Sequence, residues 1–298
     1  MRFVVFNDFR IGVLDGEMVH DVSQVVPNWA SGDMHAMNRL IAGWDSLRAK
    51  VTEEAKRAKP VALSSVRLKA PVPAPTHLFA APSNCRAHSE EMRTGAAGVH
   101  VSAEKKQARR QTAEEMGFFM KAVGSITGPQ DPIELPLKAY PTRRFDHEGE
   151  IAFVVGKYAK GVSPDKAMDY IFGYTMMIDA TMRVSEERAE ERVQRKSFLS
   201  FSPMGPCVVT ADEAGKWEDL NVKLFLNGVQ RQDAQATDMI VNIPNLLSRA
   251  SHVLPLSPGD VYTTGSPAGV SPITVGDTVV VEGRGIGKMS LSVVERSW

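Results

Sequence analysis

Two glutamates two positions apart open the most informative stretch of the chain. Glu148 and Glu150 stand just before an apolar run at 151–155, which predicts a β-strand. Because alternate residues of a strand point to the same side, both carboxylates should share one face, where they repel each other unless a proton or a cation lies between them. Asp179 ends another apolar run, at 173–178, and could supply a third oxygen. Three carboxylates without a thiol favour a hard cation, Mg²⁺ or Mn²⁺.

The spacing of the two glutamates alone favours a solvated pair on an edge strand, because this pattern is common. Two other segments favour a functional site. His88 and Glu91 are three residues apart, so one helical turn would place them side by side and let the carboxylate orient the imidazole. A surface pair is the commoner outcome of that spacing. Residues 259–270 form a string rich in glycine and proline downstream.

Taken in order, these motifs resemble the fumarylacetoacetate hydrolase family over roughly residues 71–298. The matching positions are Asn84, His88 and Glu91, then Glu148 and Glu150, then Gly173, Tyr174 and Asp179, then Lys196-Ser197-Phe198, and finally 259–270. The resemblance implies a mixed β-sandwich roll. It also implies a metal-dependent hydrolase that cleaves carbon–carbon bonds in acylpyruvates or related 2,4-dioxo acids through a metal-stabilised enolate.

The resemblance also implies roles for individual side chains. His88, assisted by Glu91, would activate water from a mobile lid, and Lys196 would donate to a substrate oxygen. The metal ligands would be Glu148, Glu150 and Asp179, and the substrate-binding residues would be Arg183, Thr264 and Ser266. Surface salt bridges and an ordinary turn are the competing interpretations of the supporting residues.

Four details depart from the family pattern or bear on the site. Cys85 stands where many relatives have an aromatic residue, so a different pocket wall is expected, and Ser266 replaces a threonine but keeps the hydroxyl. His147 lies between the two glutamates, and strand alternation points it away from the metal. The segment 92–120 is long, which suggests a substrate of different size.

The chain as a whole is expected to be strand-dominated α+β. Residues 1–70 would form a small N-terminal α+β domain, with short strands to about residue 24 and helical spacing over 33–58. A proline-rich linker at 70–75 would lead to a catalytic domain at 71–298. Its lid would span about 86–122, with a charged, helix-like insert over 100–122.

Local signals place three further elements in the catalytic domain. Ser163 and Pro164 predict the start of a short helix that ends near Phe172, and Asn242 predicts the start of another. Asn227-Gly228 between extended segments predicts a type I′ hairpin.

Composition narrows the function classes. Lys and Arg together number 35, as do Asp and Glu, so nothing in the overall charge points to nucleic acid or to an anionic membrane. Two cysteines form no disulfide framework, and no signal peptide, membrane span or nucleotide-binding glycine motif is evident, so a cytoplasmic enzyme is expected. The family resemblance implies a homodimer or a larger assembly.

Other activities could use the same site. Decarboxylation of oxaloacetate-like acids, isomerisation or tautomerisation of 2-oxo acids, and hydrolysis or dehydration of 2-oxo-3-deoxy sugar acids would need the same ligands. A non-catalytic binding protein with this fold should have lost a ligand or the histidine, and all of them are present.

Overall fold

Strands dominate the structure, which confirms the predicted strand-dominated α+β class. The computed structural model describes residues 1–94, 111–185 and 188–298. The strands there are β1 (Arg2–Phe6), β2 (Arg10–Asp15), β3 (Met18–Asp21), β4 (Val61–Ala62), β5 (Leu68–Lys69), β6 (Leu78–Ala80), β7 (Phe119–Lys121), β8 (Ile126–Thr127), β9 (Ile133–Leu135), β10 (Phe145–Asp146), β11 (Gly149–Val155), β12 (Ile171–Ile178), β13 (Thr181–Met182), β14 (Ser202–Thr210), β15 (Asn221–Leu226), β16 (Val229–Gln235), β17 (Val261–Thr263), β18 (Thr278–Gly283) and β19 (Gly287–Glu295). The α-helices there are α1 (Ala36–Ala42), α2 (Trp44–Arg57), α3 (Arg86–Thr94), α4 (Ala113–Met116), α5 (Arg192–Lys196), α6 (Ala211–Ala214) and α7 (Ile243–Val253).

One large sheet carries the centre of the molecule. Its inner order is β1–β14–β12–β11–β17–β6–β7. β11 pairs antiparallel with both β12 and β17, and β6 lies parallel to β17. The N-terminal strands extend this sheet because β1 pairs with β14. The division into domains at residue 70 stays a prediction.

Every residue of β11 is buried, because both faces of the sheet are covered. Ile151 and Phe153 face a core shared with a second sheet, in the order β16–β15–β18–β19–β9. Ala152 and Val154 face the opposite core, which α1, α2 and β1 complete. Each fully buried large apolar side chain contributes about 1.5–3 kcal/mol, so the strand that carries Glu150 is held firmly from both sides.

The helical pattern at 33–58 forms two helices rather than one. The chain breaks at Gly43, where α1 ends and α2 begins at the next residue. A Cβ atom at Gly43 would lie 2.9 Å from Leu47 Cδ1 in the first turn of α2 and 3.3 Å from the Arg39 carbonyl oxygen of α1, so there is little room for a side chain. Periodicity alone did not reveal the break because the apolar spacing continues across it.

The prediction of a helix-like insert over 100–122 is wrong at its C-terminal end. Residues 119–121 form β7, which pairs with β6 through Phe79 and Met120 and adds a strand to the large sheet. The charged residues before it suggested a helix, but strand pairing with a distant segment decided the structure. The part of the insert at 95–110 lies outside the described residues.

The local turn signals were largely confirmed. Asn227 and Gly228 both have positive φ, 52° and 81°, as a type I′ hairpin requires. The Asn242 side chain accepts a hydrogen bond from the Asn245 N–H at 3.1 Å and caps α7. The helix after Ser163 is a 3₁₀ helix at Pro164–Tyr170, which ends where β12 begins. Within the described ranges, no helix is both long and apolar enough to span a membrane.

Candidate metal centre and adjoining cavity

Three carboxylates meet at neighbouring ends of β11 and β12. Glu150 lies in β11, Glu148 stands just before it, and Asp179 follows β12. The antiparallel register pairs Gly149 with Ile178, and the Asp179 N–H donates to the Glu148 carbonyl at 2.8 Å. One carboxylate oxygen of each residue lies within 4.8 Å of those of the other two, and all three side chains are buried. The fold thus brings the predicted metal ligands together.

Two buried lysines balance part of the negative charge. Lys196 Nζ donates to Glu148 at 2.7 Å and to Asp179 at 2.5 Å, and Lys121 Nζ donates to the other Asp179 oxygen at 2.6 Å. Burial acts to lower the pKa of both lysines. For Lys196 the attraction of Asp179 and Glu148 prevails and raises the pKa, whereas for Lys121 burial prevails and lowers it. Lys196 therefore carries a firmly held positive charge at the cluster.

Arg183 connects the cluster to a second buried carboxylate. Its Nη2 donates to Glu148 and its Nε donates to Asp146, each at 2.6 Å. Burial opposes the charge of Glu148, but Lys196 and Arg183 outweigh it and hold the pKa of this carboxyl well below its usual value. Glu148 is therefore a permanent anion in the described site.

Glu150 has a different environment from the other two carboxylates. It accepts hydrogen bonds from the Thr263 hydroxyl and, at 2.8 Å, from the Gly265 N–H, but no ion pair is found for it among the described side chains. Burial, together with repulsion from Asp179 and Glu148, raises its pKa well above the usual value. A divalent cation would relieve this repulsion, and each carboxylate oxygen has two lone pairs and keeps acceptor capacity beside its present donor. The cluster therefore fits a hard metal ion.

A histidine–glutamate pair lies close to the carboxylate cluster. His88 and Glu91 belong to α3, and His88 Nδ1 lies 3.2 Å from a Glu91 carboxylate oxygen. The Gly269 N–H lies 3.1 Å from both Glu91 oxygens. Burial acts to raise the pKa of Glu91, but the His88 and Gly269 hydrogen bonds outweigh it and lower the pKa. Glu91 is thus a fixed anion that orients the imidazole.

A cavity of about 350 Å³ joins the two sets of residues. Its lining includes His88, the three carboxylates, Lys196, Arg183 and Ser266. Thr264 does not line it, because the Thr264 hydroxyl donates to the Ile151 carbonyl at 2.9 Å. Its neighbour Thr263 reaches Glu150 instead, since successive strand residues point to opposite faces.

Two other expectations concern Cys85 and His147. Cys85 is buried outside this cavity, in an isolated bridge with Met239, so the proposed change of pocket wall does not arise from its side chain. His147 points away from the carboxylates, as strand alternation predicted. Its Nε2 lies 2.7 Å from the Ser271 hydroxyl, and burial lowers its pKa to about 4.

Two buried amides fix the loops around the cavity. Asn84, just before α3, donates to the carbonyls of Val241 and Thr264 and accepts from the Val241 N–H. Gln232 accepts from the Gly149 N–H and donates to Ser266 and Pro267. The base of the His88 helix and the turn after β17 are thereby tied to the strand that carries Glu150.

Several side chains at the site were not predicted from the sequence. Lys121 falls within the stretch predicted as a charged, helix-like insert, although its place two residues after Phe119 in a short apolar stretch is also typical of a strand. Thr181 donates to Glu148 at 3.2 Å and accepts from Lys196 at 2.6 Å. Arg192 also lines the cavity, and the sequence offered no local signal for it.

Comparison with protein families and relatives gives a consistent result. The family model described as fumarylacetoacetate (FAA) hydrolase C-terminal matches residues 77–294. The maleylpyruvate hydrolase of Aquipseudomonas alcaligenes is 35% identical over 296 residues, which are 98% of this chain and 99% of that protein. The similarity therefore extends through the N-terminal segment as well.

Solved structures share the fold over nearly the whole chain. The maleylpyruvate hydrolase from Sphingobium sp. SYK-6, solved in complex with manganese(II) ion and pyruvate, has a TM-score of 0.82 and 31% identity, and the match covers 99% of each chain. A probable 2-hydroxyhepta-2,4-diene-1,7-dioate isomerase from Mycobacterium abscessus has a TM-score of 0.78 and 26% identity, covering 100% of this chain and 99% of that one.

Proposed function

The chain belongs to the fumarylacetoacetate hydrolase family, as its motifs predicted, and we propose that it is a metal-dependent hydrolase of acylpyruvates or related 2,4-dioxo acids. The observation that carries the proposal is a cavity lined both by the buried three-carboxylate cluster and by His88, whose Nδ1 lies within hydrogen-bond distance of Glu91. The similarity to two maleylpyruvate hydrolases supports the same reaction class.

The metal-binding part of the proposal assigns Mg²⁺ or Mn²⁺ to Glu148, Glu150 and Asp179. When bound, such an ion would supply Lewis-acid stabilisation of the negative charge that develops as a 2-oxo acid is cleaved. Manganese in the structural relative from Sphingobium favours Mn²⁺ as the first ion to test. Lys196 and Lys121 keep Asp179 oriented towards the cluster, because each donates to one of its oxygens.

His88 is the proposed general base. Its Nδ1 faces Glu91, so Nδ1 carries the proton in that hydrogen bond and Nε2 is left free to take a proton from water. The water oxygen then bonds to the distal carbonyl carbon of the substrate. The bond between that carbon and the pyruvoyl fragment breaks, and its electron pair stays with the fragment, which takes up a proton. The products are a carboxylic acid and pyruvate.

The supporting cations have distinct places in this scheme. Lys196 donates to Glu148 and Asp179 and lines the cavity, so its charge also acts on substrate oxygens there. Arg183 and Ser266 line the same cavity and are proposed to contact the substrate. A direct contact from Thr264 would require its hydroxyl to leave the Ile151 carbonyl.

Isomerisation is the second candidate function, favoured by the similarity to a probable dioate isomerase. It would move a proton within the substrate and release no fragment. Decarboxylation of oxaloacetate-like acids would release pyruvate and carbon dioxide but no second carboxylic acid, and turnover of 2-oxo-3-deoxy sugar acids would consume a different substrate.

A product assay tests these alternatives. Acetylpyruvate, fumarylpyruvate and oxaloacetate would be incubated with the purified protein and Mn²⁺ or Mg²⁺, and again with EDTA, and pyruvate would be quantified. The proposal predicts metal-dependent pyruvate release from an acylpyruvate together with one equivalent of the matching acid. Turnover of oxaloacetate alone would indicate that the protein is a decarboxylase and not a hydrolase.

A further inference from the structure

The cavity has a cationic wall that the proposed chemistry does not use. Arg192 and Arg195, both on the short helix α5, line it together with the carboxylate cluster. Both side chains are half-buried. A positive wall in a partly desolvated cavity favours an anionic ligand.

These arginines differ from the other cations around the cluster. Lys121, Arg183 and Lys196 each form an ion pair with a carboxylate. Across the ranges 1–94, 111–185 and 188–298, no carboxylate lies within ion-pair distance of Arg192 or Arg195. Their positive charges are therefore left unpaired in this part of the chain.

Arg192 is the better placed of the two to bind a ligand. Its guanidinium carbon lies 5.1 Å from the centre of the Phe119 ring, and no hydrogen-bond acceptor is found for its guanidinium among the described residues. Arg195 already donates to the backbone carbonyls of Glu190 and Met182, at 2.9 and 3.3 Å. Arg195 is thus held in place by the backbone, whereas Arg192 keeps its forked donors for another partner.

The electrostatic cost of this arrangement agrees with the geometry. Burial lowers the pKa of Arg192 despite the attraction of Asp179 and Glu148. For Arg195, burial and the neighbouring charges of Arg183 and Arg192 lower the pKa. An anion bound between the two guanidinium groups would offset both effects, and a planar carboxylate matches the arginine fork.

We propose that Arg192, supported by the charge of Arg195, binds a second carboxylate at the end of the substrate remote from the pyruvoyl group. The preferred substrates are then acylpyruvates with two carboxylates. The inference rests on the proposed function for the placement of the pyruvoyl end at the metal cluster. The Phe119 ring, which also lies 5.5 Å from Lys196 Nζ, would form the apolar wall along the carbon chain between the two ends.

A binding measurement tests the inference without any turnover. The ligands are 2-oxoheptanedioate and 2-oxoheptanoate, which differ only in a carboxylate or a methyl group at the far end. Dissociation constants would be measured by calorimetry in the presence of Mn²⁺ for the wild type, Arg192→Gln, Arg192→Lys and Arg188→Gln. Arg188 is exposed, belongs to the same segment and does not line the cavity, so its variant controls for the loss of one charge.

The wild type and the control should bind the dioate about tenfold more tightly than the monocarboxylate, as expected for one charge-assisted arginine–carboxylate contact. Arg192→Gln should bring the ratio close to one, and Arg192→Lys should give an intermediate ratio because it keeps the charge and loses the fork. Thermal unfolding would verify that each variant is folded. If Arg192→Gln is not folded, the ratio measured for Arg192→Lys decides the test. A wild type without preference, or an unchanged ratio in the Arg192 variants, overturns the inference. Failure to release pyruvate from any acylpyruvate would overturn the proposed function instead.

Discussion

Replacing Glu150 by glutamine should separate metal binding from the stability of the metal-free fold. Glu150 accepts from the Thr263 hydroxyl and the Gly265 N–H, and one glutamine oxygen could accept both. Glutamine has the shape of a protonated glutamate but cannot act as an anionic ligand. The variant should therefore keep the local hydrogen bonds and lose the affinity for a divalent cation.

The expected change in stability follows from the spacing of the cluster. At the 4.8 Å that bounds the ligand oxygens, two unit charges repel by roughly 3 kcal/mol at an effective dielectric constant of about 20. Burial and this repulsion raise the pKa of Glu150 above the usual 4.5. A carboxyl whose pKa is raised by folding contributes stability below that usual value and loses it as the pH rises through the folded-state pKa. The stability of metal-free Glu150→Gln relative to the wild type should therefore rise between about pH 4.5 and the folded-state pKa of Glu150, and stay constant at higher pH.

Thermal unfolding with and without Mn²⁺ measures both effects. Free Mn²⁺ at about a hundred times the dissociation constant should stabilise the wild type by about 2.7 kcal/mol, which corresponds to a rise of about 5–10 °C in Tm. Glu150→Gln should show no rise, and Glu53→Gln, at an exposed position in α2, should show the full rise. A wild-type rise in Glu150→Gln would refute the metal assignment. If the stability of the metal-free variant relative to the wild type does not rise across that pH range, the electrostatic argument is refuted.

Two substitutions and one labelling experiment test other parts of the structure. His88→Gln should lower acylpyruvate hydrolysis about a hundredfold or more while keeping the thermal shift with Mn²⁺, and retention of the full rate would contradict the base assignment. Lys196→Met removes the cation shared by Glu148 and Asp179, and denaturant titration should show a loss of about 3–5 kcal/mol. A loss of unfolding free energy below about 1 kcal/mol would mean that the ion pairs of Lys196 with Glu148 and Asp179 are not desolvated. Burial raises the pKa of Cys207 to about 12, so iodoacetamide should leave this thiol unmodified in the native protein by mass spectrometry, and labelling before unfolding would contradict its buried position.

The sequence predicted the carboxylate cluster because local rules were sufficient there. Strand alternation puts Glu148 and Glu150 on one side, and the apolar run before Asp179 forms the neighbouring strand. His88 and Glu91 are likewise adjacent through one helical turn. Each of these contacts depends either on residues a few positions apart or on the pairing of two long strands.

Contributors that depend on distant pairing could not be predicted in the same way. Lys121 reaches Asp179 only because β7 pairs with β6 at one edge of the large sheet. Thr263 rather than Thr264 faces Glu150 because the register of β17 against β11 decides which side each hydroxyl occupies. A shift of one residue reverses that choice, and no local pattern determines it. Arg192 begins the short helix α5 and lines the cavity, and no simple period in the sequence indicates where this helix lies.

The most direct test of the central claim follows the oxygen atom of water. Purified protein with Mn²⁺ would be incubated with an acylpyruvate in isotopically labelled water, and the released carboxylic acid would be analysed by mass spectrometry. Hydrolysis at the carboxylate cluster with His88 as base predicts one solvent oxygen in the new carboxylate of that acid, and no labelled acid when EDTA is present. Substrate consumption without a labelled acid, or labelling that persists in EDTA, would contradict the account.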